Sequence, residues 1–168
     1  MTKPLKPGFP VPGHDHEPCV ASVVARAEAV FLRQGLRLTP LRRQVLEEVA
    51  ASHKAVGAYD VLDHLARRGG RRLAPISVYR ALDSLVEAGV VHRLESRNAF
   101  FACHAPHAGD RRQIVLACGR CGAVAEVAEP VVFDGIGAAA ARAGFAVERA
   151  MVEVAGTCGA CVAASSSP

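Results

Sequence analysis

SVYRALDSLVEAGVVHRLESRNAFFAC, residues 77–103, decides the fold. Its first half places Val78, Leu82, Leu85 and Val86 at the three- and four-residue steps of one helical face, and Gly89 is the stop that ends such a helix. The other face is polar, with Ser77, Tyr79, Arg80, Asp83, Ser84 and Glu87. After Gly89 the pattern turns from helical to extended, so VVHRLES and AFFAC read as the two arms of a hairpin. A two-residue loop at Arg97-Asn98 would set Ser96 opposite Ala99 and His92 opposite Cys103. Directly opposed Cβ atoms lie about 4.5–5.5 Å apart, close enough for an imidazole and a thiol to share one metal ion.

Upstream, three further helices are expected. Over residues 20–34 the apolar positions Val23, Val24, Ala27, Val30 and Phe31 repeat at helical spacing, and Gly35 follows. Thr39-Pro40 is an N-cap with proline at the first helical position, and Leu41, Val45 and Val49 mark the face of the second helix. Ala58, Val61, Leu62 and Leu65 give the third, which runs out through Arg67, Arg68, Gly69 and Gly70. A fourth helix starting near residues 75–77 and the hairpin complete a winged helix-turn-helix. In that arrangement the exposed N-terminal part of the fourth helix enters the DNA major groove. The candidate DNA contacts are Tyr59, Ser77, Tyr79 and Arg80, with Arg42, Arg43, Arg93 and Arg97 as phosphate contacts.

The charge distribution agrees with this reading. Residues 1–104 hold 15 Lys+Arg against 10 Asp+Glu, whereas residues 105–168 hold 5 against 6, so a basic half is joined to a near-neutral one. With 51% apolar residues in 168, the chain can bury a core. It has neither an apolar run long enough to span a membrane nor the apolar segment of a secretion signal, and a cytoplasmic protein is expected. In a reducing compartment the six cysteines read as metal ligands or thiols rather than disulfides. Five of the ten prolines fall within residues 1–18, which suggests a flexible arm over 1–19. The arm ends in HDHEPC, whose His14, His16 and Cys19 are a candidate extra metal site at an entropic cost of ordering the arm.

Residues 112–162 read as a second, smaller domain. A strand over 112–117, the knuckle CGRC, a strand over 123–127, an alanine-rich helix over 130–143 and a strand over 145–154 form a β-β-α-β unit. So small a unit has little core, and stabilisation by a metal and by a second copy of the chain is expected. Cys118-x-x-Cys121 and Cys158-x-x-Cys161 supply the ligands for that metal. Each pair lies on a glycine-containing turn, and together they give a closed, structural four-cysteine zinc site.

With these elements placed, the sequence resembles the ferric uptake regulator family, and within it the zinc uptake regulators. The resemblance spans residues 20–162 and is carried by RLTPLRRQVLEEV at 37–49, AYDVLDHL at 58–65, SVYRALDSLVEAGVVHRLES at 77–96 and CGRCGAVAE at 118–126. It implies a homodimeric repressor with an N-terminal DNA-binding domain, a C-terminal dimerisation domain and a regulatory metal at the hinge. Carried over by position, His92, Cys103 and Glu126 match three regulatory ligands. Where close zinc-sensing relatives place a histidine, this chain has Arg111 and Arg112, so His107, or failing that His104, would complete the set. A thiolate among imidazole and carboxylate ligands suits zinc better than iron.

The expected division is an arm over 1–19, the winged-helix domain over 20–103, a hinge over 104–111, the dimerisation domain over 112–162 and a flexible tail over 163–168. The expected function is a zinc-responsive transcriptional repressor of zinc-uptake genes, with two zinc ions per chain and a pseudo-palindromic DNA operator as partner. Neither a membrane nor a small organic substrate is expected. A sensor of iron, manganese or peroxide is the alternative within regulators. A zinc-dependent hydrolase is disfavoured, because four protein ligands leave no open position for water and the chain has no catalytic constellation.

Overall fold

The computed structural model describes residues 8–9, 13, 15–69, 73–104 and 112–165. Two compact units are present, one over Val11–His104 and one carrying Ala105–Pro168. The first contains α1 (Glu17–Arg33), α2 (Pro40–Ala50), β1 (Val56–Gly57), α3 (Ala58–Gly69), α4 (Pro75–Glu87), β2 (Val91–Leu94) and β3 (Ala99–Ala102). Its sheet has the order β1-β3-β2 and is antiparallel throughout. The helices and the hairpin are those of a winged helix-turn-helix.

Local chemistry explains the helix ends. Thr39 caps α2 by accepting the Arg42 N–H at 3.4 Å, with Pro40 following where its missing N–H costs nothing. Gly89 stops α4 in the left-handed region at φ 73°. The Gly89 N–H then donates to Val86 and the Val90 N–H to Leu85, which satisfies the last carbonyls. The apolar faces meet in a core of Phe31, Val45, Leu46, Val49, Val61, Val78, Leu82 and Leu85, joined by Val91 and Phe100 from the sheet. Each such side chain contributes about 1.5–3 kcal/mol by burial. The buried Glu48 of α2 is ion-paired with Arg68 of α3, and its other oxygen lies 3.5 Å from His64 Nδ1.

Three details of this first unit differ from expectation. Helix α1 begins at Glu17, inside the stretch expected to be an arm, because Pro18 falls in its first turn and so starts a helix instead of preventing one. The strand β1 has only two residues and was not foreseen. The hairpin turn is also longer: Glu95–Arg97 form one 3-10 turn, and Asn98 closes it in the left-handed region at φ 47°. The register therefore pairs Leu94 with Ala99 and His92 with Phe101, not with Cys103.

The second unit contains β4 (Arg112–Cys118), β5 (Val124–Val127), α5 (Pro130–Arg142), β6 (Ala150–Gly156) and α6 (Gly159–Ser165). β4 is central, antiparallel to β5 and parallel to β6. The expected strand over 145–154 starts only at Ala150. Phe145 is held by the end of α5 instead: Gly144 has φ 70°, its N–H donates to Ala141, and the Phe145 N–H donates to Ala140. Residues 163–165, expected in a flexible tail, continue α6. The remaining tail, 166–168, and the hinge residues 105–111 lie outside the described residues.

Candidate metal centres and nucleic-acid interface

The four paired cysteines converge. Parallel pairing of β4 with β6 sets Cys118 beside Gly156, and the Gly119 N–H donates to the Gly156 carbonyl at 2.8 Å, so the chain reaches Cys158 next to the knuckle. Gly122, at φ 77°, turns the knuckle so that its N–H donates to the Cys118 carbonyl. The four sulfurs lie within 4.8 Å of one another, with Cys118 and Cys158 buried. Cys121 Sγ and Cys158 Sγ are 3.7 Å apart, which matches the edge of about 3.8 Å expected for a tetrahedron with Zn–S bonds of about 2.3 Å. Backbone N–H groups directed at Cys118, chiefly those of Cys121 and Cys158, lower its thiol from 9.0 to about 6. Hydrogen bonds to Cys158 and Cys121 push Cys161 up to about 12. One thiolate is thus prepared for a cation while another sulfur keeps its proton until a metal displaces it. Arg120 ties the knuckle to α6 by donating to the Cys161 carbonyl at 3.3 Å and to Ser165.

In the first unit, His92 and Cys103 come together by a route that the expected register did not contain. Cys103, which is 2% exposed, donates its N–H to Val90, so it lies one pair along from β3 and diagonal to His92. The slip of two positions keeps both side chains on one face. A ring nitrogen of His92 and Sγ of Cys103 fall within 4.8 Å, while the His92 ring rests on Phe101 at a centroid separation of 5.5 Å. In the second unit, Glu126 stands half-buried on β5, and its carboxylate accepts from Nε2 of the buried Gln113 on β4. Nothing in the sequence marks Gln113, because a lone glutamine in a strand carries no ligand signal. His107 lies outside the described residues.

The candidate DNA contacts differ in exposure. Tyr59 at the start of α3 is 66% exposed and packs edge-on against the half-buried Tyr79, with centroids 6.2 Å apart. Arg80 and Arg97 are exposed and Ser77 is half-buried. Ile76, in the first turn of α4, is 57% exposed, an apolar group that the helical period alone did not flag. Arg42 is engaged elsewhere: it donates to the Arg37 carbonyl at 2.7 Å and covers the Phe31 ring. Arg43 pairs with Glu28, and Arg93 with Glu95 and Asn98.

Of the N-terminal candidates, His14 lies outside the described residues. Cys19 sits on α1, where burial, and then the charge of Asp15, raise its thiol. His16 packs against His53, and His53 against His104.

A winged-helix unit followed by a four-cysteine knuckle unit is the plan of a metal-dependent regulator, and the model of the ferric uptake regulator family matches residues 33–155. The chain belongs to that family. It is similar to the zinc uptake regulation protein of Escherichia coli (strain K12), with 39% identity over 140 residues covering 83% of this chain and 81% of the relative. The protein of the same description from Shigella flexneri matches to the same extent. Among solved structures, a zinc uptake regulator complexed with zinc and DNA has 36% identity and a TM-score of 0.81, covering 88% of this chain and 98% of that one. The holo form of XcZur has 41% identity and a TM-score of 0.75, covering 84% and 98%.

Proposed function

We propose that this protein is a zinc-responsive transcriptional repressor that binds operator DNA as a homodimer and turns off zinc-uptake genes. The observation that carries the reading is the thiol–imidazole pair of Cys103 and His92, set on the wing of a DNA-binding fold. A structural role for that pair would need neither nitrogen nor sulfur, whereas a borderline-soft cation uses both. The relatives described as zinc uptake regulators, one of them complexed with zinc and DNA, support zinc as the ion and DNA as the partner. The six cysteines and the absence of a membrane-crossing helix among the described residues fit a protein of the cytoplasm.

In this reading Cys118, Cys121, Cys158 and Cys161 hold a permanent zinc. His92 and Cys103 from the winged-helix unit, with Glu126 and His107 from the chain that follows, hold the regulatory one. Zinc supplies a redox-inert cross-link between side chains. Gln113 aims the Glu126 carboxylate, Phe101 orients the His92 ring, and the buried Cys103 commits its sulfur once it is deprotonated. Joining ligands from both units restricts their relative motion, which selects conformers whose two α4 helices match the half-sites of a pseudo-palindrome. Arg80, Tyr59, Tyr79 and Ser77 contact the DNA, with Arg97 on phosphates. The second unit exposes Val131, Phe145, Val154 and Val162, apolar side chains suited to burial against a second copy.

The test is metal titration of DNA binding, followed by fluorescence anisotropy, with genomic fragments retained by the zinc-loaded protein. Zinc is expected to restore binding to the metal-stripped chain at free concentrations where iron(II) and manganese(II) do not. Equal activation by iron(II) or manganese(II) would move the protein to another branch of the family.

A further inference from the structure

We propose that Ile76 is a specificity-determining residue of the DNA interface, whose side chain reads the C5-methyl group of one thymine in each operator half-site. The inference rests on the DNA-binding function proposed above and adds to it the base chemistry that this side chain selects.

Helix α4 buries Val78, Ala81, Leu82 and Leu85 against the core. Ile76 takes no part in that packing: it stands in the first turn of the helix and is 57% exposed. It precedes Tyr79 by three residues and Arg80 by four, so the three share one helical face. Tyr59 of α3, also exposed, packs edge-on against Tyr79. Apolar surface from two helices thus lies at the end of α4 that a winged helix-turn-helix inserts into the major groove. A lone exposed apolar residue is ordinary on a protein surface, but this one is bordered by an exposed aromatic ring and the exposed Arg80. Helix stability does not account for it either, because β-branched isoleucine is a poorer helix former than alanine, lysine or glutamate.

The base edges of the major groove offer donors, acceptors and one apolar group, the thymine methyl. Isoleucine has no polar side-chain atom. Set against the amino group of cytosine or the O6 of guanine, it would strip water from that group and return no hydrogen bond. Against thymine it buries methyl on methyl. One helical turn separates Ile76 from Arg80, about 6 Å along the axis, or about two base steps of the duplex. The thymine read by Ile76 therefore lies about two base pairs from the position that Arg80 contacts.

The test uses the full-length, zinc-loaded protein and synthetic duplexes of a genomic fragment that it retains, with binding followed by fluorescence anisotropy. Symmetry-related thymines are replaced by deoxyuridine one pair at a time, which removes the methyl and leaves every hydrogen-bonding group in place. At one such pair wild type is expected to lose about fifteenfold in affinity, from about fourfold for each buried methyl. Ile76→Ala should bind the unmodified duplex more weakly by about that factor or more, and respond to uracil at that pair by less than about twofold. Arg80→Ala should keep the uracil effect there. Because Ile76 is exposed, Ile76→Ala should match wild type in circular dichroism and thermal unfolding. The proposal is overturned if every uracil effect seen with wild type persists in Ile76→Ala, or if that variant binds the unmodified duplex as tightly as wild type. Weaker binding by Ile76→Ala without coupling to any uracil position also overturns it, and would assign Ile76 to a contact between copies of the chain. Failure of the zinc-loaded wild type to retain any DNA would sink the functional reading as well, whereas zinc-dependent binding without the uracil coupling sinks this proposal alone.

Discussion

In the proposed function, Cys103 is the residue at which sensing can be separated from folding. It is buried on the same face as His92, and serine there removes the soft ligand while altering volume little. Cys103→Ser is expected to abolish zinc-dependent DNA binding and to leave a folded dimer by sedimentation. Gln113→Leu removes the amide that holds Glu126, and the regulatory zinc should bind about 10–100-fold more weakly in chelator competition. Arg80→Ala should cost about 1–3 kcal/mol of DNA affinity with zinc content unchanged. How much of this was legible in the sequence depends on the kind of signal. The cysteine pairs were legible because two short motifs at knuckle spacing admit few other uses. The sequence pattern sets His92 beside Cys103, and the structure brings the two together through a different register. The pattern alone points to a two-residue turn, whereas Asn98 takes up the left-handed conformation after a 3-10 turn. The residues still met because a shift of two preserves the face of a strand.

At the scale of elements, the helices were legible wherever an apolar period met a capping signal. Pro40, Pro75 and Pro130 each stand at a helix start, and Gly89 and Gly144 at helix ends. Leu82 of α4 is fully buried in that core, and Leu82→Ala should cost about 2–5 kcal/mol of stability in denaturant unfolding. The strand β1 was not legible, since two residues carry no period and their identity comes from pairing with Phe100 and Ala99. The segment 145–149 misled for the opposite reason. Phe145 and Val147 alternate like a strand, yet the closure of α5 holds Phe145 and both remain exposed. The knuckle has its own pH behaviour. Because Cys118 is lowered from 9.0 to about 6, its contribution to the metal-free fold is present above its unfolded value and is lost as pH falls through about 6. Chelator-stripped protein should accordingly melt at lower temperature as pH is lowered across that window. Zinc loading near neutral pH should release the proton of Cys161, raised to about 12, but not one from Cys118. A pH indicator in weakly buffered solution reads that release.

For the whole molecule, the division into a basic DNA-binding unit and a near-neutral cysteine-rich unit was visible in charge and motif order, because each property is carried by residues close together in the chain. Contacts among residues distant in sequence and outside any motif were not. His16, His53 and His104 share no motif, and only the packing of three segments brings their rings together. The regulatory proposal also depends on residues from different parts of the chain, so it is best tested by function. Wild type and Cys103→Ser, each with the four-cysteine zinc retained, would be titrated with buffered zinc in the presence of a labelled genomic fragment selected by the zinc-loaded protein. Zinc should raise the anisotropy of the fragment with wild type and leave it at the metal-free value with Cys103→Ser. An equal zinc response from the two proteins would contradict the assignment of the sensing site.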